Sequence, residues 1–100
     1  MPPEFLEVDP RKLRLPRSRL DGADPTKLQI QIHKYGKRTD GMPPLQVHRD
    51  KNGELMIMDG VTRATRIAKL LPGITVTAEV TRDRANADFT RLPTVEEKMP

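Results

Sequence analysis

Four apolar residues in a row, Leu55-Met56-Ile57-Met58, run straight into Asp59-Gly60, and this junction constrains the fold most. An apolar run of this length ended by a turn signal reads as a buried strand. Beyond it, Ala64, Ile67, Ala68 and Leu71 recur at helical spacing, and the small Ala64 and Ala68 allow close packing on a sheet. A strand that turns on glycine into a helix leaves the first helical N–H groups unpaired and directed at one spot. Such a spot attracts anions, phosphates especially. Thr62 offers a hydroxyl there, and Arg63 and Arg66 offer guanidinium groups. Asp59, Gly60, Thr62, Arg63 and Arg66 therefore form the candidate phosphate-binding set.

The rest of the chain supplies elements to pack around this unit. Phe5-Leu6-Glu7-Val8 reads as a short strand stopped by Asp9-Pro10. Residues 11–19 read as an irregular segment with the basic side chains of Arg11, Lys12, Arg14, Arg17 and Arg19 outward. These could lie against a phosphate backbone, which needs little geometry, or form a solvated basic loop. Asp24-Pro25 is a helix start with a capping aspartate and proline at the first position, Leu28, Ile32 and Tyr35 follow at helical spacing, and Gly36 stops the helix. The alternation through Leu28, Ile30 and Ile32 competes as a strand signal, but the two end signals favour the helix. Leu45 to His48 and Leu55 to Met58 flank the turn Asp50-Lys51-Asn52-Gly53, with its Asn-Gly step, and read as a hairpin. Ile74, Val76, Ala78 and Val80 alternate as a further strand. After residue 80 the pattern dissolves into charged residues and proline. Thr94 to Glu97 could form one capped turn. The expected organisation is one domain over residues 1–80 and a mobile tail over 81–100 that could recruit a protein partner.

Composition narrows the chemistry. The chain has no cysteine, which removes disulfides, thiolate metal sites and cysteine nucleophiles together. No apolar stretch approaches the roughly 20 residues of a membrane span, and the first residues lack the pattern of a signal peptide. These features predict a cytoplasmic protein that does not enter membranes. The net charge of +4 favours polyanionic partners. His33 and His48 have no carboxylate at ligand-like spacing, so no metal site is read.

With the elements in order, the chain resembles the ParB/sulfiredoxin-like family, also called the ParB-like nuclease domain, over roughly residues 5 to 80. Three stretches carry the resemblance: Val8-Asp9-Pro10 with Lys12-Leu13; Tyr35-Gly36 leading to Pro44-Leu45-Gln46-Val47; and Ile57-Met58-Asp59-Gly60-Val61-Thr62-Arg63 with Ile67-Ala68. The resemblance implies a small α+β domain, a mixed sheet with two helices. It also implies that the Asp59-Gly60 turn holds nucleotide phosphates and that the loop carrying Lys37 and Arg38 comes near the nucleotide; Mg²⁺ is the ion that phosphoryl chemistry there would use. Members of the family bind CTP or ATP, and some are kinases or nucleases. Two departures matter. Val61 stands where sulfiredoxin has its cysteine, so that chemistry lacks its nucleophile. Partition proteins carry a glutamate directly after the turn glycine and paired arginines, whereas this chain has Val61 and Thr62 before Arg63.

Each candidate has a plainer role beside the functional one. Asp59 could hold a cation or act as a base, or could cap the helix. Thr62 could bond phosphate or its own helix. Arg63 opposes the positive helix end, a cost that a bound anion would reverse, or it could lie over the sheet. Arg66 and Lys69 could be a solvated helix face. The expected function is phosphate recognition on a nucleotide or nucleic acid, with phosphoryl transfer or phosphodiester hydrolysis as the compatible reaction classes. The alternative is a non-catalytic DNA-associated adaptor.

Overall fold

The computed structural model describes residues 2–99. Helix α1 spans Pro25–Tyr35, and its ends form as the sequence predicts. The Asp24 carboxylate accepts the N–H of Thr26 at 2.8 Å and of Lys27 at 3.2 Å. Gly36 closes the helix with its N–H on the Ile32 carbonyl and a positive φ of 55°. Leu28 is buried and Ile32 half-buried, whereas Ile30 is 61% exposed. The competing strand pattern loses because Ile30 points away from the core. Tyr35 is exposed as well, so the buried face of α1 is narrower than its spacing suggests.

The hairpin also forms. Strands β2 (Leu45–Arg49) and β3 (Leu55–Asp59) pair antiparallel. Their turn is organised by Asp50, whose carboxylate accepts the N–H groups of Asn52 and Glu54, both at 2.8 Å. Helix α2 covers Val61–Leu70, beginning three residues before the first expected helical position because Gly60 itself is the residue that starts it. Strand β4 (Val76–Asp83) starts and ends later than its apolar alternation suggests, and β1 covers Glu4–Val8. The sheet order is β1-β4-β2-β3. β4 runs antiparallel to β1 and parallel to β2, so the four-stranded sheet is mixed. The expected class, a small α+β domain with two helices on a mixed sheet, is the one observed.

One face of the sheet carries the core. Leu45, Val47, Ile57, Val76 and Ala78 meet Val61, Ala64, Ile67 and Ala68 of α2, with Leu28 of α1 beyond. Two alanines on the α2 face permit the close approach expected of them. Leu13 and Leu15 are buried because their segment runs along β3: Arg14 donates its N–H to the Leu55 carbonyl, and Ile57 donates to that of Arg14. This single bridge, Arg14 beside Met56, occupies part of the β3 edge, which would otherwise present open backbone groups.

The boundary expected at residue 80 is not a boundary in the packing. β4 continues to Asp83, and the chain then returns across the domain. Arg84 donates its N–H to the Arg49 carbonyl, Leu15 to that of Pro93, and Val95 to that of Leu13. Phe89 and Val95 are 4% and 2% exposed. Through Phe89, Val95 and the half-buried Met99 this largely exposed segment packs back on the domain instead of trailing from it. The predicted capped turn is present: Thr94 and Glu97 exchange N–H to side-chain bonds at 3.0 and 3.2 Å. Pro100, the last residue of the expected tail, lies outside the described residues. Among the described residues, no helix is long and apolar enough to cross a membrane.

Candidate anion cleft at the start of helix α2

Gly60 makes the turn. Its φ is +109°, a conformation that L side chains rarely adopt. A Cβ there would lie 2.5 Å from Leu45 Cδ2 and 2.8 Å from Arg63 Nη2. The glycine therefore lets the Arg63 guanidinium fold back over the turn. The expected Asp59 cap does not form: no side chain caps α2, and the first intrahelical bond is Ala64 N–H to the Gly60 carbonyl. Asp59 is the last residue of β3, and the left-handed turn carries its carboxylate beside the helix, where it pairs with Arg63 Nη2 at 3.2 Å. The Asp59 side chain is 70% exposed and that of Arg63 only 18%. Val61 is buried, anchoring the turn to the core.

The uncapped helix start opens on a cleft of about 420 Å³, lined by residues 58–63, Pro16, Ser18, Arg19 and Gln31. Thr62 lines this cleft, and its hydroxyl makes no hydrogen bond among the described residues; it is Thr65 that bonds its own helix, donating to the Val61 carbonyl at 2.7 Å. A second cavity of about 240 Å³ lies against the first, between the end of α1, the loop after it and α2. Tyr35, Arg38, Asp40, Gly41, Met42, Pro43 and Arg66 line it, and Gln31 and Arg63 line both spaces.

Arg66 stands apart from the cleft at the α2 start. It is 2% exposed, neither a solvated helix face nor a group on that cleft. Its Nη1 donates to the carbonyls of Gly36 at 2.7 Å and Arg38 at 2.8 Å, and its guanidinium lies over the Tyr35 ring. Burial lowers its pKa from the ordinary guanidinium value, with Tyr35 opposing and Arg38 adding to the shift. The side chain is buried because α2 is sandwiched between the sheet and the end of α1. The cation there meets the negative, carbonyl end of α1.

The basic segment is also less uniform than expected. Arg11 is held by Asp9 at 2.8 Å, and Arg14 by Glu54 at 2.8 Å and the Leu92 carbonyl at 2.9 Å. Lys12, Arg17 and Arg19 are exposed and make no ion pair among the described residues, and of the five only Arg19 reaches the cleft. Lys37 is exposed in the loop after α1. Arg38 closes the same helix, donating to the carbonyls of Lys34 at 3.0 Å and Tyr35 at 3.4 Å. Lys69 is exposed and is not among the residues lining either space. Ser18, Gln31 and Met42 are brought to the two spaces without having been singled out from the sequence, and Tyr35 without having been read as a site residue. Only Tyr35 carried a signal, as a residue placed on the α1 face.

Among the described residues no group of three His, Asp or Glu side chains is placed to hold a metal ion. Arg19, Asp59, Thr62 and Arg63 line one polar space at an uncapped helix start, where the first N–H groups lack intrahelical partners and can receive an anion. The chain matches no protein-family model, and no curated protein matches it.

Proposed function

We propose that this domain binds the phosphate groups of a nucleotide at the β3–α2 turn. One observation carries the reading: α2 begins without a side-chain cap, and its first turn opens on a cleft that Arg63 and Arg19 also border. Phosphate oxygens would take the hydrogen bonds of the first-turn N–H groups and of Thr62, with Arg63 giving a charge-assisted fork. The element order and mixed sheet are consistent with the architecture of the ParB/sulfiredoxin-like family that the sequence resembles, whose members hold nucleotides at this turn. A Mg²⁺ ion carried on phosphates needs only one or two protein carboxylates. Asp59 is the carboxylate at the turn and is exposed enough to serve. Such an ion supplies charge neutralisation for phosphoryl transfer or hydrolysis, and the chain's own contribution is to bind and orient the phosphates.

The adaptor reading relies on a continuous basic face for a nucleic-acid backbone. Arg11 and Arg14 are tied to Asp9 and Glu54, which leaves Lys12, Arg17 and Arg19 and favours the localised site. An NMR titration of the labelled chain with ATP, CTP and a short DNA duplex, each with Mg²⁺, separates the two. Shifts at Asp59 to Arg63 with a nucleotide, lost in Arg63→Ala, are the expected result. Shifts over Arg11 to Arg19 with the duplex alone would replace this reading with the backbone-binding one.

A further inference from the structure

A groove of about 450 Å³ adjoins the cleft at the α2 start, and Pro16 and Ser18 line both. Strand β3 gives Met58 to the cleft and Met56 to the groove. Two positions apart on one strand, these methionines share a face of the sheet and stand about 7 Å apart along it. Cleft and groove each have the volume of a small-ligand pocket. Each is also bordered by two arginines and one aspartate: Arg19, Arg63 and Asp59 on the cleft, Arg17, Arg84 and Asp88 on the groove.

The two cations of the groove are not neutralised within the domain. Arg17 and Arg84 are exposed and make no ion pair among the described residues. The Arg84 guanidinium lies 5.6 Å from the centre of the buried Phe89 ring. A ring face places a guanidinium without occupying its N–H donors. The Asp88 carboxylate accepts the N–H and the hydroxyl of Thr90. His48, opposite Met56 in the hairpin, feels the same field: burial, then Arg84 and Arg82, lowers its pKa from the ordinary value. Positive charge therefore gathers beside Met56, one strand step from the phosphate cleft. Arg84 and Phe89 follow residue 80, outside the stretches that carry the family resemblance.

We infer that this groove is a second phosphate subsite, and that the ligand of the α2 site is a short single strand of nucleic acid, with one phosphate at the turn and the next held by Arg17 and Arg84. The inference rests on the phosphate reading above, because the strand is placed along β3 by the phosphate at the turn. The two-residue step from Met58 to Met56 is comparable with the spacing of successive phosphates along a strand. A positively charged groove that tracks the backbone is how proteins hold single strands. A mononucleotide fills the cleft and leaves Arg17 and Arg84 without an anion.

The test is an NMR affinity series on the full chain with thymidine 5′-monophosphate, the 5′-phosphorylated thymidine dinucleotide and the matching uridine pair. The dinucleotide is expected to bind about tenfold or more tightly than its mononucleotide, the effect of a charge-assisted contact to the added phosphate. Amide shifts at Ser18, Arg84 and Phe89 should appear with the dinucleotide and not with the mononucleotide. Arg17→Gln and Arg84→Gln should each cut the gain below about threefold and leave mononucleotide affinity near that of the wild type. Arg17 is the safer of the two for folding, since it touches no ring, and a native-like amide spectrum guards both. Lys12→Gln, at an exposed cation that lines neither space, should keep the full gain. A gain in either series supports the subsite, and the tighter series tells DNA from RNA. Equal affinity for mono- and dinucleotide, with binding still lost in Arg63→Ala, would overturn this inference and leave the phosphate site standing. A gain that falls as much in Lys12→Gln as in Arg17→Gln would make it diffuse charge and overturn the inference too. Failure of every mono- and dinucleotide to bind would overturn the inference and the phosphate reading together.

Discussion

Arg66 donates to the carbonyl oxygen of Gly36 at 2.7 Å, across thirty residues of sequence, and so fastens the second helix to the end of the first. The Arg38 carbonyl takes a second bond from the same nitrogen. Replacing this arginine removes the donor from two carbonyls in a partly buried place, each costing about 1–3 kcal/mol when left unmade. Arg66→Met keeps much of the volume and should lower stability by about 2–4 kcal/mol. Arg66→Lys keeps the charge but cannot reproduce the planar fork, and should fall between the two. Urea unfolding of the three proteins tests this. Equal midpoints for the wild type and Arg66→Met would mean that the bonds contribute nothing net.

Gly60 gives the second prediction. Gly60→Ala must place a side chain at φ +109° and bring its Cβ against Leu45 Cδ2 and the Arg63 guanidinium. A left-handed conformation costs a non-glycine residue about 1–3 kcal/mol, and overpacking adds a similar amount. The expected loss is about 3 kcal/mol or more. Gly53→Ala is the internal comparison, because its φ is +83° but nothing lies within 4 Å of the position its methyl group would take. It should lose only the conformational part. Thermal unfolding of both variants would show Gly60→Ala melting well below Gly53→Ala.

Asp50 couples the hairpin turn to the returning chain, and it does so in a pH-dependent way. Besides Asn52 and Glu54, its carboxylate accepts the Phe89 N–H at 2.6 Å. Burial pushes the Asp50 pKa up, but the three backbone donors outweigh this and hold it below the usual carboxylate value. With the folded pKa depressed, the stabilisation is fully present above the unfolded pKa of about 3.9 and is lost as pH falls through the folded value. Stability should therefore drop on acidification below about pH 4. In Asp50→Asn only one acceptor oxygen remains for donors that approach both oxygens, so stability at pH 7 should fall by about 1–3 kcal/mol and the acid slope should flatten. Urea midpoints between pH 2.5 and 7 check both points. An unchanged acid slope in Asp50→Asn would assign the acid response to other carboxylates.

How much of this was legible in the sequence depended on whether the signal was local. The α1 ends, the hairpin and the strand–turn–helix unit were readable because caps, turn residues and apolar spacing act within a few positions. Asp50 already belonged to the turn, but its bond to Phe89 spans 39 residues and leaves no periodic trace. Phe89 and Val95 are single apolar residues in a polar context, so the segment after β4 read as a tail. Strand β4 extends to Asp83 partly through charge, since Arg49 pairs with both Asp83 and Glu4, which apolar alternation does not detect. Arg66 was assigned to the candidate site because a charged residue on an amphipathic helix reads as exposed. Its burial follows from α1 lying over that side of α2, a tertiary fact. The turn itself was anticipated, while the partner of Asp59 was not: helix spacing put Arg63 four residues away, and the ion pair won over the cap.

That ion pair shapes the last prediction. Arg63 is held by Asp59 at 3.2 Å while its guanidinium lies over Gly60 and borders both spaces. The Asp59 end of the pair is open to solvent, so the ion pair itself contributes no more than about 1 kcal/mol to folding. The effect of Arg63→Ala on phosphate binding should be larger, because hydrogen bonds to charged groups are worth about 1.5–3 kcal/mol, or roughly 10- to 100-fold in affinity. Asp59→Asn should act in the opposite direction on metal-free phosphate. Removing the carboxylate releases Arg63 and removes a negative charge from the mouth of the cleft, so tripolyphosphate without Mg²⁺ should bind more tightly than to the wild type. With Mg²⁺ present the advantage should shrink or reverse, since Asp59 is then the carboxylate available to the ion. Titration calorimetry of the two variants with tripolyphosphate, with and without Mg²⁺, separates these effects. If Arg63→Ala bound as tightly as the wild type, the helix start would be acting without its arginine. If Asp59→Asn weakened metal-free binding, the Asp59–Arg63 pair would be orienting the guanidinium for the ligand and not competing with it.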